Sequence, residues 1–324
     1  MPSIITQDSA ANLPPSEELV NLSEFEDIAR EVLSRTTHDT ITDPSTKHFD
    51  HMTFRQRLMV NAMDLDLSIQ LFGKPLFAPI IVGPIAQQKR FHADGEIATL
   101  HGAGQAKATV ILSSDASVPV HELPTTINPE TWFQVYAGDK TSTSVGITAA
   151  KSIRAAVLCI TFGEREGDKV SEISPQHWDR VCAIKNEFEG PVVLKGILSR
   201  REAETAVERK FSGIILSSHN REKALQKLHV INSLPAIAKS INGALPILVD
   251  GNFRRGSDVL KALALGAQAV LLGRPIMWGL ASYGASGVQA VLELLYNELA
   301  RSMAASGRPK ITDIDRTLVK FHRR

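Results

Sequence analysis

Two short turns near the end of the chain combine glycine with arginine. The first, VDGNFRRGSD, covers Val249–Asp258, and the second, LGRP, covers Leu272–Pro275. Each turn follows an apolar run, as expected where the chain leaves the end of a buried strand. Glycine lets backbone amides approach an anion closely, and arginine offers forked charged donors that suit phosphate oxygens. The two turns therefore predict a nucleotide or flavin phosphate site, with candidate residues Gly251, Gly256, Gly273, Arg254 and Arg274.

A lysine and a histidine follow two other apolar runs. Lys195 comes directly after Pro191–Leu194, and a buried ammonium is costly unless a partner or ligand compensates it. Such a lysine suits a place beside an electron-rich ring that becomes anionic on reduction. His219 stands two residues beyond Ser217, and an imidazole can accept a proton from a substrate near neutral pH. A lone histidine is more often a surface or capping residue, but its position at the same predicted mouth as Lys195 favours catalysis.

The spacing of apolar runs predicts the scaffold that positions these residues. Eight runs recur along the chain, at Phe77–Val82, Ala108–Leu112, Trp132–Tyr136, Ala155–Ile160, Pro191–Leu194, Gly213–Leu216, Leu245–Val249 and Ala267–Leu272. Helix signals separate most of them, including Ser174 before Pro175 and a capping box of Ser199 with Glu202. Buried parallel strands that alternate with helices predict an α/β fold, a closed (β/α)8 TIM barrel, with an open doubly wound sheet as the alternative.

The position of the glycine and arginine turns favours the barrel over the open sheet. They follow the seventh and eighth strands, where barrels bind phosphate, and no GxGxxG turn follows the first strand. In a barrel, working side chains lie where strands end and the next loops begin. This rule selects a polar set at one end of the barrel, namely Pro84, Ala86, Ser113, Ser114, Gln134, Tyr136, Lys195, Ser217, His219, Asp250, Gly251, Arg254, Gly273 and Arg274.

Length and composition predict one domain. The chain has 324 residues, of which 43% are hydrophobic, and its 36 basic residues nearly balance 35 acidic ones. This near-neutral balance argues against nucleic acid or an anionic membrane as a partner. We expect a disordered or loosely attached arm over residues 1–20 and a single barrel domain over residues 21–324. The domain would begin with a helical extension at Asn21–Ser34, capped by Ser23 with Glu26, and Ser257 would cap a later helix that starts at Asp258.

The two cysteines predict a reducing environment. Cys159 and Cys182 have neither CxxC nor Cys/His ligand spacing, so we expect free thiols and no metal site. No run reaches the roughly 18 apolar residues that a membrane span needs. The start of the chain also lacks the pattern of a signal peptide. We therefore expect a soluble, cytoplasmic protein.

Several stretches carry a family resemblance: VGPIAQQKRFHADGE, ILSSDAS, WFQVY, PVVLKGI, GIILSSH, VDGNFRRGSDVLKALALGA and LLGRP. From about Asn21 to its end, the chain resembles the FMN-dependent 2-hydroxy acid oxidases and dehydrogenases, which include glycolate oxidase and lactate oxidase. The resemblance implies an FMN cofactor and a homo-oligomer, commonly a tetramer or octamer, that acts on a small-molecule substrate. The FMN contacts that it implies are Pro84, Ile85, Ala86, Ser113, Gln134, Tyr136, Lys195, Ser217, Asp250, Gly251, Asn252, Phe253, Arg254, Gly273 and Arg274.

The same resemblance assigns the catalytic residues. His219 matches the family's base, which takes a proton from the substrate as a hydride equivalent reaches the flavin. Lys195 would stabilise the reduced flavin, and Tyr136 would touch the substrate together with Arg165 or Arg221. The resemblance thus implies an FMN-dependent oxidoreductase that acts on CH–OH donors.

The chain departs from the family at the substrate positions. Threonine stands at Thr40, where the family has a tyrosine, and Asp115 takes the place of a tryptophan. Thr161 replaces the aspartate that pairs with the histidine. Glu222 stands where the family has an arginine, and a second family arginine has no clear counterpart. Forked arginine hydrogen bonds to a carboxylate are each worth roughly 1 to 3 kcal/mol.

These losses predict that the substrate is not a small 2-hydroxy acid. They also leave two other hypotheses open. One is a flavin-binding protein without turnover, which serves as a structural or regulatory partner. The other is an enzyme that uses reduced FMN as a chemical aid in a net non-redox reaction.

Overall fold

The chain opens with helices and a strand that precede the barrel. In the computed structural model, residues 13–42, 49–57, 60, 64–123, 130–138, 140–162, 172–219 and 230–322 are described. Helix α1 spans Leu22–Val32 and α2 spans Arg35–Asp39, and strand β1 (Met52–Phe54) pairs antiparallel with the last strand, Val319–Phe321. An antiparallel hairpin of β2 (Ile69–Leu71) and β3 (Lys74–Leu76) follows.

Eight parallel strands then close into a barrel, which confirms the predicted fold class. Each strand pairs with the next along the chain, and the last pairs with the first. They are β4 (Ile80–Val82), β5 (Val110–Ser113), β6 (Thr131–Tyr136), β7 (Leu158–Thr161), β8 (Val192–Ile197), β9 (Gly213–Leu216), β10 (Ile247–Asp250) and β11 (Ala269–Leu272).

Helices surround this barrel, as the helix signals in the sequence predict. They are α3 (Gly95–Gln105), α4 (Lys140–Ser152), α5 (Pro175–Asn186), α6 (Arg200–Glu208), α7 (Val230–Ile241), α8 (Gly256–Ala264) and α9 (Arg274–Ala305). The long helix α9 is kinked at Tyr283 and Gly284, where the backbone leaves helical angles. The Tyr283 hydroxyl donates a hydrogen bond to the carbonyl oxygen of Pro14 at 2.6 Å. This contact fastens the segment before α1 to the kink.

Alternate residues of the strands face inward. Inside the barrel, an apolar layer contains Ile111, Trp132, Cys159, Val193, Ile215 and Leu248, all of them buried. Because side chains alternate along a strand, residues two positions further on point into the same interior at a higher level. The hairpin covers the opposite end, where the Phe72 ring meets Trp132 edge-on with centroids 5.4 Å apart. The barrel is therefore filled with apolar side chains below one polar, open end.

Two of the predicted helix caps are wrong. Helix α1 is capped by Asn21, whose Oδ1 accepts hydrogen bonds from the backbone N–H groups of Ser23 and Glu24. Asparagine is as good an N-cap as serine, and the helix starts two residues earlier than a serine cap requires. Helix α8 begins at Gly256. Ser257 therefore lies inside this helix and is not its N-cap.

The caps predicted at Ser174 and Ser199 are confirmed, and the latter forms a capping box with Glu202. Both cysteines are free, as predicted, with Cys159 buried in β7 and Cys182 half-buried in α5. Among the helices of the described ranges, none is long and apolar enough to cross a membrane. The same residues contain no cluster of three or more His, Cys, Asp or Glu that could hold a metal ion.

Candidate active site

Six adjacent strands carry polar residues at or near their C-terminal ends, and these residues form a polar belt across the mouth of the barrel. Each belt residue stands two positions after an apolar residue of the inner layer. Five of the six are almost completely buried, and only the last is partly exposed. In strand order from β5 to β10, the polar belt consists of Ser113, Gln134, Thr161, Lys195, Ser217 and Asp250.

One half of the polar belt is an ion pair bridged by a serine. The Lys195 Nζ lies 2.7 Å from Asp250 Oδ2, with 3% and 27% of the two side chains exposed. The Ser217 hydroxyl lies between them, since it accepts from Lys195 Nζ at 2.9 Å and donates to Asp250 Oδ2 at 2.9 Å. The partner that a buried lysine requires is therefore the carboxylate of Asp250.

The charge of Asp250 follows from these contacts. Burial alone would raise the pKa of its carboxyl group. The Lys195 ammonium, the hydrogen bonds from Lys195 and Ser217, and the nearby His219 outweigh burial and lower the pKa below its ordinary value. Asp250 is thus ionised at neutral pH and supplies the negative member of the ion pair in this half of the polar belt.

A local irregularity aims the lysine into the barrel mouth. The register between β8 and β9 shifts between Lys195 and Ile197, and Gly196 at the shift has a φ of +106°. Only glycine adopts this conformation without strain. Bulges of this kind occur next to active sites, where they redirect a side chain. The glycine after Lys195 is thus a requirement of the site's geometry.

The other half of the polar belt is a chain of neutral hydrogen bonds. The Ser113 hydroxyl donates to Gln134 Oε1 at 3.0 Å, and Gln134 Nε2 donates to the Thr161 hydroxyl at 3.0 Å. Thr161 is paired in register with Lys195 on the neighbouring strand. The position at which the family resemblance expects a carboxylate thus holds a hydroxyl that orients the glutamine.

The candidate base His219 lies just beyond the polar belt. Its backbone N–H donates to the Ser217 hydroxyl at 3.2 Å, and the residue is exposed at the mouth. Ser217 therefore uses its one donor and both acceptor positions on Asp250, Lys195 and His219. An exposed imidazole near the ionised Asp250 can accept a proton and hold the resulting positive charge.

The two glycine and arginine turns lie at the ends of β10 and β11. Asn252 has a φ of +53°, which asparagine tolerates better than most residues, and its Oδ1 accepts from Arg274 Nη1 at 2.6 Å. The Arg254 guanidinium lies over the Trp278 ring, 4.6 Å from its centroid. Asp258 Oδ2 accepts from the backbone N–H of Arg254 at 3.1 Å and thereby fixes the turn.

The turns leave room for an anion where the sequence predicts one. A Cβ atom added at Gly273, the residue before α9, would meet no atom within 4 Å. Gly273 opens onto the N-terminus of a long helix, where backbone N–H groups and the helix dipole favour negative charge. Because Arg274 begins this helix and Arg254 packs on its Trp278 ring, the residues fit a phosphate monoester such as that of FMN.

The loops after β4 and β5 are held together by one buried glutamate. Glu96 is completely buried and accepts hydrogen bonds from the backbone N–H groups of Gln88, Ser117 and Val118. The backbone N–H of Gln87 also donates to the carbonyl oxygen of Asp115 at 3.0 Å. These contacts fix the loop that begins with Pro84, Ile85 and Ala86.

The structure brings most of the predicted site residues together at one end of the barrel. Those at the mouth are the polar belt residues other than Thr161, together with Pro84, Ile85, Ala86, Tyr136, His219, Gly251, Asn252, Phe253, Arg254, Gly273 and Arg274. Phe253 is buried against Phe49 with ring centroids 5.5 Å apart, so its side chain packs below the turn. Arg165, Arg221 and Glu222 lie outside the described residues.

Sequence reasoning missed three contributors to the site. The sequence identifies Thr161 only as a residue that replaces the family's aspartate, and it assigns no role to Glu96 or Trp278. Trp278 could have been found, because it stands four residues after Arg274 and so shares its face of α9. The sequence gives no signal for Glu96. Its partners are backbone N–H groups, and two of them, those of Ser117 and Val118, lie more than twenty residues further along the chain.

A barrel with a buried lysine, a rim histidine and phosphate-type turns after its last two strands defines a flavin-dependent oxidoreductase. The comparisons agree, because the profile described as FMN-dependent dehydrogenase matches residues 27–168 and 163–321. The chain belongs to the FMN-dependent dehydrogenase family. Its cofactor is FMN, and it is an oxidoreductase that acts on CH–OH donors.

Relatives with assigned names cover almost the whole chain. A peroxisomal (S)-2-hydroxyacid oxidase of Arabidopsis thaliana is 32% identical over 352 residues, which cover 94% of this chain and 97% of the relative. An L-lactate oxidase of Nostoc is 31% identical, with 91% and 96% covered. A solved mandelate oxidase with (S)-2-phenylpropionate is 29% identical, with a TM-score of 0.83 and coverage of 94% and 99%.

Proposed function

We propose that this enzyme oxidises a CH–OH donor that is not a small 2-hydroxy acid. His219 would accept the substrate proton, and bound FMN would supply the acceptor for the hydride equivalent. Lys195 and Tyr136 stand beside the reacting groups. The observation that carries the proposal is the hydroxyl of Thr161 in the place of a carboxylate, bonded to Gln134 Nε2 at 3.0 Å.

The roles of the cofactor residues follow from their chemistry. Pro84, Ile85 and Ala86 lie along the ring, and Ser113, Gln134 and Ser217 supply polar contacts. Lys195 compensates negative charge on the reduced ring, while Asp250 keeps that ammonium paired. Residues Gly251, Asn252, Phe253, Arg254, Gly273 and Arg274 enclose the ribityl chain and phosphate. This division is supported by the open space at Gly273 and by the burial of the polar belt.

The charge balance around His219 supports a changed substrate. With Thr161 in place of aspartate, position 161 offers no carboxylate to the imidazole, and Asp250 contributes a neighbouring negative charge. Because Asp250 is already paired with Lys195 at 2.7 Å, it stabilises an imidazolium less than an unpaired carboxylate would. A donor whose own C–H or O–H is more acidic would compensate.

The site also favours a substrate without a compact carboxylate. Thr40 is exposed, and its hydroxyl donates to the carbonyl oxygen of Thr37 at 2.7 Å within its own helix turn. It therefore does not replace a tyrosine hydroxyl that binds a carboxylate. A mandelate oxidase variant, with one arginine replaced by leucine, has been solved with the neutral 2-hydroxy-phenylacetamide. Arg165 and Arg221 remain candidate substrate contacts.

The test is anaerobic bleaching of bound flavin by a matched panel. Glycolate, L-lactate and (S)-mandelate represent anionic donors, and 2-hydroxy-phenylacetamide and methyl mandelate represent neutral ones. The proposal expects faster bleaching by neutral donors than by anionic donors of the same size. Faster bleaching by glycolate or L-lactate would contradict it. The Thr161→Asp variant should shift the preference toward the anionic donors or raise the rate with both.

A second candidate is a flavin-binding protein without turnover, which the same substitution at Thr161 favours. In that case no donor bleaches the flavin, and the His219→Ala variant supports the biological role as well as the wild-type protein does. Loss of function in this variant would reject the second candidate.

We also propose a cytoplasmic homo-oligomer, a tetramer or octamer. The family resemblance supports this proposal. Light scattering on the purified protein measures the assembly, and cell fractionation measures the location. A monomer, or a fraction found only in an organelle, would contradict these expectations.

A further inference from the structure

Arg254 and Arg274, one in each phosphate turn, both contact a specific neighbour. Arg254 lies over the Trp278 ring at 4.6 Å from the centroid, and Arg274 donates to Asn252 Oδ1 at 2.6 Å. Trp278 is completely buried in the first turns of α9. A guanidinium held against a tryptophan face is restrained in orientation while its edge stays available to a ligand.

The contacts of Trp278 indicate that its ring face, and not its polar group, is what the site uses. The indole N–H is buried and has no hydrogen-bond partner among the described residues. A buried tryptophan N–H normally finds a partner, so leucine or phenylalanine would fill the space without that cost. What those residues lack is the strongest cation-binding face among the aromatic side chains.

Two further contacts of Arg254 fix its backbone and one end of its guanidinium. Asp258 Oδ2 accepts from the backbone N–H at 3.1 Å, and Arg254 Nη1 donates to the carbonyl oxygen of Phe253 at 3.1 Å. The stacked ring of Trp278 restrains the orientation of the guanidinium plane before a ligand arrives, so less conformational entropy is lost on binding.

We propose that Trp278 is a positioning residue that orders Arg254 for the phosphate and thereby sets the preference for FMN over riboflavin. The proposal rests on the assignment of the FMN phosphate to these turns. A restrained guanidinium strengthens binding only for a ligand that carries the phosphate. Trp278 should therefore affect FMN affinity and leave riboflavin affinity nearly unchanged.

The experiment measures dissociation constants of the flavin-free full chain for FMN and riboflavin by flavin fluorescence. The Trp278→Leu variant should raise the FMN constant about tenfold, which corresponds to about 1.4 kcal/mol, and the riboflavin constant less than about twofold. The Trp278→Phe variant, which keeps a weaker aromatic face, should raise the FMN constant about threefold. If Trp278→Leu does not fold, Trp278→Phe decides the question.

The chain offers a matched control. Trp178 is also buried and also carries an arginine, Arg209, at 5.9 Å from its ring centroid, but on helix α5 outside the barrel. The Trp178→Leu variant should leave the ratio of the two constants unchanged.

Three results would overturn the proposal. Equal rises for FMN and riboflavin in the Trp278 variants would indicate a general structural role, and no rise would indicate no role. If Trp178→Leu changed the ratio of the FMN and riboflavin dissociation constants in the same way, that ratio would report the stability of the protein and not a contact with the phosphate. If the wild-type chain bound riboflavin as tightly as FMN, or bound neither, the phosphate assignment itself would fail.

Discussion

The ammonium of Lys195 lies 2.7 Å from the carboxylate of Asp250, although their strands are not neighbours in the barrel. Strand β9 separates them, and Ser217 at its end bridges the pair. The ammonium of Lys195 is therefore held by a counter-charge within the protein, so the geometry of the site is in place before the cofactor binds.

Replacement of Asp250 by asparagine should destabilise the protein in a pH-dependent way. The variant leaves Lys195 buried without a counter-charge, at a cost of about 3 kcal/mol near pH 7. Because the pKa of Asp250 is lowered by folding, its contribution is complete above the unfolded pKa of about 3.9 and is lost as pH falls through the folded pKa. Urea unfolding at neutral and acidic pH measures the difference.

The control for this prediction is Asp27→Asn. Asp27 pairs with Arg30 at the same distance of 2.7 Å, but both side chains are more than half exposed. Exposed pairs contribute little, so this variant should unfold like the wild type at both pH values. An Asp250→Asn variant as stable as Asp27→Asn would show that the buried pair does not support the fold.

Replacement of Gly273 by alanine should separate cofactor binding from folding. A Cβ at this position meets no protein atom within 4 Å, so the melting temperature should stay within about 2 °C of the wild type. The methyl group would occupy the space assigned to the phosphate, and FMN affinity should fall about tenfold or more.

Replacement of Gly256 by alanine should instead destabilise the fold. At Gly256, a Cβ would overlap the backbone of Leu299 in α9. The Gly256→Ala variant should therefore lose roughly 2 kcal/mol of stability.

If Gly273→Ala bound FMN as tightly as the wild type, the phosphate would have to lie elsewhere.

The barrel could be predicted from the sequence because its evidence is local. Eight apolar runs and the helix signals between them determine an alternating fold, and all eight strands are present at the predicted places. The site's positions could be predicted for the same reason, since each follows a strand. The helix caps predicted at Ser23 and Ser257 are wrong, because several neighbouring residues can cap a helix and packing selects one of them.

Contacts between distant residues could not be predicted in this way. The pairing of Lys195 with Asp250 depends on the strand order, which places β8 and β10 on either side of β9. The stacking of Arg254 on Trp278 depends on how α9 leaves β11. The hydrogen bond between Gln134 and Thr161 depends on strand register, which apolar spacing does not determine.

Replacement of Thr161 by valine should expose the role of its hydroxyl. Valine has the same shape but cannot accept the hydrogen bond from Gln134 Nε2, which would leave a buried donor unpaired at a cost of about 1 to 3 kcal/mol. The Thr161→Ser variant keeps the hydroxyl and should lose less. Chemical denaturation measures both losses, and a larger loss in Thr161→Ser than in Thr161→Val would mean that the methyl group matters more than the hydroxyl.

The two cysteines should differ in reactivity. Burial raises the pKa of the Cys159 thiol to about 12, whereas Cys182 is only half-buried. Because the thiolate is the nucleophile, a thiol reagent such as DTNB at pH 8 should label one cysteine in the folded protein and the second only after unfolding. The Cys182→Ser variant should show no rapid labelling. Rapid labelling of that variant would contradict the burial of Cys159.

The role of His219 as the base that removes a substrate proton during flavin reduction can be measured by anaerobic flavin bleaching. Anaerobic mixing of 2-hydroxy-phenylacetamide with the wild-type holoprotein and with the His219→Asn variant gives the rate of flavin bleaching in each. Loss of a general base should slow bleaching by about a hundredfold or more, with FMN affinity unchanged. Equal rates in the two proteins, or no bleaching of the wild type, would contradict the account.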